Sequence, residues 1–268
     1  MELAQWLDTF RHLGRQAERR ARPLAGTARG RRPLGRGAAG DTTVFLDRTL
    51  EDLVLNAARS AGKVRLISEE LGVRDFGEPE AAVVADPLDG STNAGLGIGL
   101  YAVSYALGPP GPHLGDLQMG YVRNLVAGDE YWAVRGKGAF RNGRRLRPQN
   151  GGALEMVLLE LSPAPLRALA ASRRIIGAAR KVRSLGSMAL DLCYTASGSA
   201  SATVDLRGRM ARTLDLSAGA LILEEAGGKV SDARGRPLGG LPVDLSTRTD
   251  LMASANPAVH RRLLKLGR

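Results

Sequence analysis

The sequence predicts a mixed α/β (α+β) protein. Helices and an antiparallel or mixed sheet form its N-terminal half, and an alternating α/β C-terminal half packs against them. Three observations predict this. Apolar residues recur at helical spacing near the N-terminus, β-branched and aromatic runs separated by turn residues fill 100–146, and strand and helix patterns alternate after about residue 153. At 268 residues the chain suits one or two domains, and 44% hydrophobic residues can bury a sizeable core. No repeat or linker interrupts it, so 1–150 and 151–268 read as two halves of one unit.

In order along the chain, Leu3, Trp6, Leu7, Phe10 and Leu13 form the apolar stripe of an amphipathic helix within 1–23. Residues 24–41 are rich in Gly and Arg and poor in apolar side chains, and read as a mobile loop. Leu46, Leu50, Leu53, Val54 and Ala57 give a second helix. Residues 65–67 and 82–85 are short buried strands, each running into acidic residues. Residues 101–107, 118–123 and 131–134 form a meander, with Asn142-Gly143 as a strong turn signal. Helical patterns then cover 187–197, 214–226 and 257–266, and Gly227 is a natural stop for the second of these.

Composition excludes several classes. The single cysteine, Cys193, rules out an intrachain disulfide framework; it sits in an apolar helical context and reads as packing. No apolar run approaches the roughly 20 residues of a membrane span, and MELAQWLDTFRHLGRQ lacks the continuous apolar stretch of a secretory signal. A soluble cytoplasmic protein is expected. His12, His113 and His260 show no zinc-site spacing. The net charge of +11 would suggest a polyanion partner, but it is uneven. Residues 1–36 hold nine arginines against Glu2, Asp8 and Glu18. Aromatics make up only 4% and no nucleic-acid-binding motif is present, so nucleic-acid binding through that basic end stays a lesser alternative.

The chemistry resides in three acidic segments: Glu69-Glu70, the run DPLDGSTN at 86–93, and Asp215 at the start of a helix. Taken singly, each has a structural explanation. A Glu pair is normally solvated, Asp-Pro-Leu-Asp-Gly can be a capped turn, and Asp215 can simply answer a helix dipole. Glu224-Glu225, near a helix end, reads as structural. Together and in this order, carboxylates at the ends of apolar strands repel one another unless a cation intervenes. Hard Mg²⁺ suits carboxylate and carbonyl oxygens. Pro87 and Gly90 allow Asp86, the Leu88 carbonyl and Asp89 to point to one side. The amides of Gly90, Ser91 and Thr92 are placed to meet a phosphate if a helix follows.

These segments, with LDLSAGALILEEAGG at 214–228, resemble the inositol monophosphatase family of Mg²⁺-dependent, lithium-sensitive sugar phosphatases over about residues 40–260. The stretch 183–215 is most similar to the archaeal-type branch, whose members act on fructose 1,6-bisphosphate as well as inositol phosphates. The resemblance implies a layered α-β-α-β-α sugar-phosphatase fold, a homodimer, and two or three Mg²⁺ ions. It implies Glu69, Asp86, the Leu88 carbonyl, Asp89 and Asp215 as metal ligands. Asp47, on an Asp-x-x-x-Glu pattern with Glu51, would work with Glu69 and Ser91 on the attacking water. Asp89, Gly90, Ser91, Gly186 and Ser187 would meet substrate. Leu214 stands where the family commonly has an aromatic, and 24–42 corresponds to a mobile catalytic loop to which Asp41 would contribute.

A metal site that sees only phosphate cannot choose the substrate. Arg183, Arg207, Arg209 and Arg212 surround the 187–197 helix and Asp215, and an arginine can hold a second phosphate bidentately. Arg183 and Arg212 abut motif residues and are the candidates for it, which favours a bisphosphate. A nucleotide phosphatase acting on NADP or 3′-phosphoadenosine phosphate is the enzymatic alternative.

Overall fold

Helix α1 (Leu3–Ala21) lies beside helix α2 (Phe45–Ala61). The predicted stripe of α1 buries Trp6, Phe10 and Leu13, and the Phe10 ring lies 5.5 Å from that of Tyr105. On α2 the buried alanine is Ala58, with Ala57 only partly covered. The computed structural model describes every residue except Met1, Ala39, Asp41, Pro148, Gln149 and Arg268. Asp41, the family's expected loop carboxylate, therefore lies outside the described residues.

The Gly- and Arg-rich stretch read as a loop is mostly turns, but it contains strand β1 (Pro33–Arg36), which pairs with β2 (Thr42–Val44) just ahead of α2. All four β1 residues are exposed, so no apolar alternation marks the strand in the sequence. Arg31 donates to the carbonyls of Gly26 and Gly95, and Arg29 and Arg32 each sit 5.1 Å from the Phe45 ring centroid.

The chain continues through β3 (Val64–Ser68), β4 (Gly72–Phe76), β5 (Ala81–Asp89), the short helix α3 (Ser91–Leu96), β6 (Ala102–Gly108), β7 (Met119–Asn124), β8 (Glu130–Val134), β9 (Gly138–Arg141) and β10 (Arg144–Arg145). Among the described residues these strands form one sheet, ordered β10-β9-β8-β7-β6-β5-β3-β4. The pair β3–β5 is parallel and the remaining pairs are antiparallel. Asn142 and Gly143 both take positive φ in the predicted β9–β10 turn.

Then come β11 (Met156–Leu159), α4 (Pro165–Ala178), β12 (Lys181–Arg183), α5 (Met188–Ala196), β13 (Ala202–Asp205), β14 (Ala211–Arg212), α6 (Thr213–Glu225), β15 (Lys229–Ser231), β16 (Arg248–Thr249), β17 (Leu251–Ser254) and α7 (Pro257–Leu266). A second sheet runs β12-β11-β13-β17-β15, and β14 pairs with β16.

Five layers result. Helices α1 and α2 cover the outer face of the first sheet, α5 and α6 fill the space between the sheets, and α4 and α7 cover the second. The sequences of α5 and α6 suit that middle layer, since they are apolar nearly all round. Gly219 lets the two helices approach; a Cβ there would meet the Leu192 side chain at 2.8 Å. Cys193 is fully buried on α5. Among the described residues no helix is long and apolar enough to cross a membrane.

Candidate active site

Parallel strands β3 and β5 end side by side, and the Glu69 amide bonds to the Ala85 carbonyl just past the end of β3. Strand β5 is irregular there. Opposite β6, Asp86 pairs with Ser104 and Asp89 with Ala102, so three steps on β5 span two on its partner. The extra residue is a bulge, which re-aims side chains that strict alternation would send to opposite faces. Pro87 donates no amide, and the Leu88 amide instead bonds Asp86 Oδ1 at 3.0 Å. Gly90 then turns the chain at φ +86°; a Cβ there would strike the Leu100 carbonyl oxygen at 2.8 Å, so only glycine fits.

Asp215, in the first turn of α6, meets these strand ends. Glu69, Asp86 and Asp215 each offer a carboxylate oxygen, all within 4.8 Å of one another. Two adjoining cavities open on the cluster. One, about 370 Å³, is lined by Thr42, Asp47, Glu69, Asp86, Leu88 and Ser91 among others. The second, about 430 Å³, is lined by residues that include Asp89, Gly90, Gly186, Arg207 and Asp215. Ser91, Thr92 and Arg212 line both.

Burial dominates the electrostatics. It pushes Glu69 up to about 8, with Asp215 adding to the rise. It lifts Asp89 to about 7, Asp86 well above the usual carboxylate range, and Asp215 upward too. Asp47 and Glu51, one turn apart on α2, both rise to about 7 for the same reason. Arg212 opposes the rise at Glu69, Asp86 and Asp215. Its Nε donates to Asp215 Oδ2 at 2.8 Å, and its Nη2 reaches Glu69 Oε1. A buried, all-oxygen donor set of mutually repelling carboxylates suits a hard divalent cation.

The structure brings most of the sequence-predicted residues to this place. Asp47 Oδ2 accepts the Val44 amide at 2.8 Å, which caps α2, while its buried Oδ1 has no partner among the described residues. Asp89 is held by α5: its Oδ2 accepts from Ser187 Oγ and from the Ala189 amide at 2.9 Å, and its Oδ1 accepts the Met188 amide at 3.2 Å. Ser187 is thus buried against Asp89. Arg183 lies on the edge strand β12, exposed, with its guanidinium on the Val182 carbonyl.

Among other residues at the site, Glu160 and Ser162 are not singled out by the sequence, whereas Arg207 is one of its four candidate arginines. Glu160 and Ser162 line the second cavity from beyond β11, where nothing resembles a motif. Arg207 stands there with its guanidinium clamped on Asp205 at 2.9 and 2.6 Å and near Glu160 at 3.9 Å. Asn93 Nδ2 bridges the Leu100 and Leu185 carbonyls at 2.8 and 2.7 Å and so ties the loop before α5 to α3. Its place inside the 86–93 run is the signal that marks it.

Known proteins resemble this chain in sequence and in fold. The model of the inositol monophosphatase family matches residues 11–267. A fructose-1,6-bisphosphatase/inositol-1-monophosphatase of Methanothermobacter thermautotrophicus is 36% identical, covering 98% of this chain and 97% of its own. A bifunctional NADP phosphatase/NAD kinase of Methanococcus maripaludis is 29% identical across 96% of this chain but only 48% of its own. Among solved structures, an inositol monophosphatase-fructose 1,6 bisphosphatase superposes with a TM-score of 0.84 at 26% identity, covering 99% of this chain and all of that one. On the whole-length match of the family model and the five-layer fold around these carboxylates, the chain belongs to the inositol monophosphatase family.

Proposed function

We propose that the protein is a Mg²⁺-dependent phosphoric monoester hydrolase acting on a sugar or cyclitol phosphate, fructose 1,6-bisphosphate and/or inositol 1-phosphate. The observation that carries this reading is the convergence of Glu69, Asp86 and Asp215 within 4.8 Å, against a cavity also lined by Asp47 and Ser91. Glu69, Asp86, the Leu88 carbonyl and Asp215 would hold Mg²⁺. Asp89 would serve a second ion through the Oδ1 lone pair that its α5 bonds leave over. When bound, Mg²⁺ lowers the pKa of water and offsets charge on the phosphate and the leaving oxygen.

The chain's own groups supply the rest. Asp47 is poised near neutrality by burial, and its unpartnered Oδ1 takes the proton of the attacking water, with Ser91 and Glu69 helping to aim it. The amides of Gly90 and Ser91 meet the phosphate. Gly186 and Ser187 shape the turn beneath the leaving group, and Arg212, lining both cavities, faces it. Arg183 would engage only a second phosphate that extends out to β12. The same reading makes the protein a cytoplasmic homodimer: the lone, buried Cys193 suits a reducing compartment, and the dimer rests on family resemblance.

The similarity to a bifunctional NADP phosphatase/NAD kinase favours a second reading, NADP as substrate. The test is phosphate release from fructose 1,6-bisphosphate, inositol 1-phosphate, NADP and 3′-phosphoadenosine phosphate, with and without Mg²⁺. The expected result is Mg²⁺-dependent turnover of the first two. Preference for NADP supports the second reading, and no release from any of the four overturns both.

A further inference from the structure

Arg212 places a cation inside the carboxylate cluster. Its backbone is fixed where β14 pairs with β16, Arg212 opposite Arg248, and where α6 begins. Its side chain is mostly covered and grips two of the three converging carboxylates at once: Glu69 through a terminal nitrogen, and Asp215 through Nε, at 3.1 Å to Oδ1 and 2.8 Å to Oδ2. Both carboxylates belong to the trio that, with Asp86, brings one oxygen from each residue within 4.8 Å of the others. A divalent cation at the cluster competes with the guanidinium for the same two carboxylates, and it repels the guanidinium besides.

We propose that Arg212 is a displaceable internal counter-ion: it holds Glu69 and Asp215 together until a divalent cation takes their oxygens, and its guanidinium then turns to the second cavity, which it already lines. The proposal rests on the metal-site reading above. It gives Arg212 a role before substrate arrives. The side chain keeps buried carboxylates from facing one another uncompensated, and it weakens cation binding by the same contacts. A guanidinium suits this task because it stays charged at any working pH and because its fork can hold two carboxylates in fixed geometry. Were Arg212 instead a lasting support that orients the ligands around the cation, its removal would weaken cation binding.

Those two roles predict opposite signs, and calorimetric titration of chelator-treated protein with Mg²⁺ reads them without any substrate. Wild type binds Mg²⁺ and Asp86→Asn does not; a wild type that binds no Mg²⁺ sinks the metal-site reading itself. With wild-type binding in hand, Arg212→Met and Arg212→Gln are expected to bind Mg²⁺ about tenfold tighter or more, the equivalent of one lost competing ion pair. Their metal-free melting temperature should fall by about 4 °C or more, and saturating Mg²⁺ should bring it back to within about 2 °C of wild type. Arg212→Lys keeps a cation, and with it a compensated metal-free state, and its affinity should lie between the two. Mg²⁺ affinity that is unchanged or weaker in the neutral variants, or in the Lys variant should the neutral ones fail to fold, overturns the proposal.

Discussion

Glu51 shows how one buried side chain ties stability to pH. It is fully buried on α2, accepts the Ser68 hydroxyl at 2.7 Å on Oε2, and leaves Oε1 without a partner among the described residues. Burial raises it from 4.5 to about 7. For an acid raised on folding, the favourable contribution of the neutral form is complete below the unfolded value and disappears as pH climbs through the folded one. Wild type should therefore lose stability between about pH 4.5 and 7, by at most about 3 kcal/mol from this group. Glu51→Gln can keep the Ser68 bond without the charge. Denaturant melts in chelator should find it more stable than wild type at pH 8 and equal or slightly worse at pH 4.5. A steeper loss toward pH 8 than wild type would refute the assignment. Asp89 makes the opposite case. An asparagine there keeps one acceptor oxygen and turns an amino group toward the α5 amides, which leaves a buried donor unmet. Asp89→Asn should cost about 1–3 kcal/mol, a drop of roughly 3–8 °C in melting temperature, on top of any loss of activity. An unchanged melting temperature would mean the α5 contacts carry little. The sequence marks Asp89 as a carboxylate of the right motif; only the fold shows that its oxygens already serve a helix.

At the scale of elements, legibility follows the hydrophobic pattern. Helices α1, α5, α6 and α7 and strands β6 to β8 each bury a stripe or a face, and each is readable within a residue or two, whereas the apolar run 82–85 marks only the first part of β5 and the α2 stripe stops at Ala57, four residues short of the helix end. Helix α4 is less so, because Arg167, Arg173 and Arg174 interrupt its apolar positions and few of its residues are buried. Strand β1 has no buried face, and β14 and β16 are two residues long, too short for any period. The parallel β3–β5 pairing and the β5 bulge are register facts, and composition does not encode register. Glu225 shows an element-level device of the same kind. From the last turn of α6 it accepts the Gly136 amide at 2.8 Å and the Gly138 amide at 2.7 Å, and so pins the β8–β9 turn to the middle layer. Glu225→Ala should cost about 1–2 kcal/mol through the amides it strands, while kcat and KM stay as in wild type because neither cavity is lined by it. A stability loss under a few tenths of a kcal/mol would show that water replaces the carboxylate without penalty.

Across the whole molecule, the site is a joint. Glu69 and Asp86 come from the ends of two strands of the first sheet, whereas Asp215 and the loop at Gly186 belong to the segments that lead into the middle-layer helices. Asn93 crosses the same joint with its bonds to Leu100 and Leu185. A ligand that bridges these carboxylates therefore ties the first sheet to α6, and by mass action it stabilises the folded state by the free energy of its binding. At a Mg²⁺ concentration about a hundredfold above Kd that is about 2.7 kcal/mol, or roughly 5–8 °C for a chain of this size. The rise should grow from pH 5.5 to pH 8. Carboxylates lifted by burial are largely protonated at the lower value, and they must give up protons before they can bind a cation. Asp86→Asn removes one of the three converging carboxylates and should flatten the Mg²⁺ response at both pH values. The same substitution relieves repulsion, so its metal-free melting temperature should stay at or above that of wild type. Differential scanning calorimetry across a Mg²⁺ series separates these expectations. A single transition that moves with Mg²⁺ in wild type and stands still in Asp86→Asn places the cation at the joint. Equal shifts in the two proteins would place it on some other part of the surface.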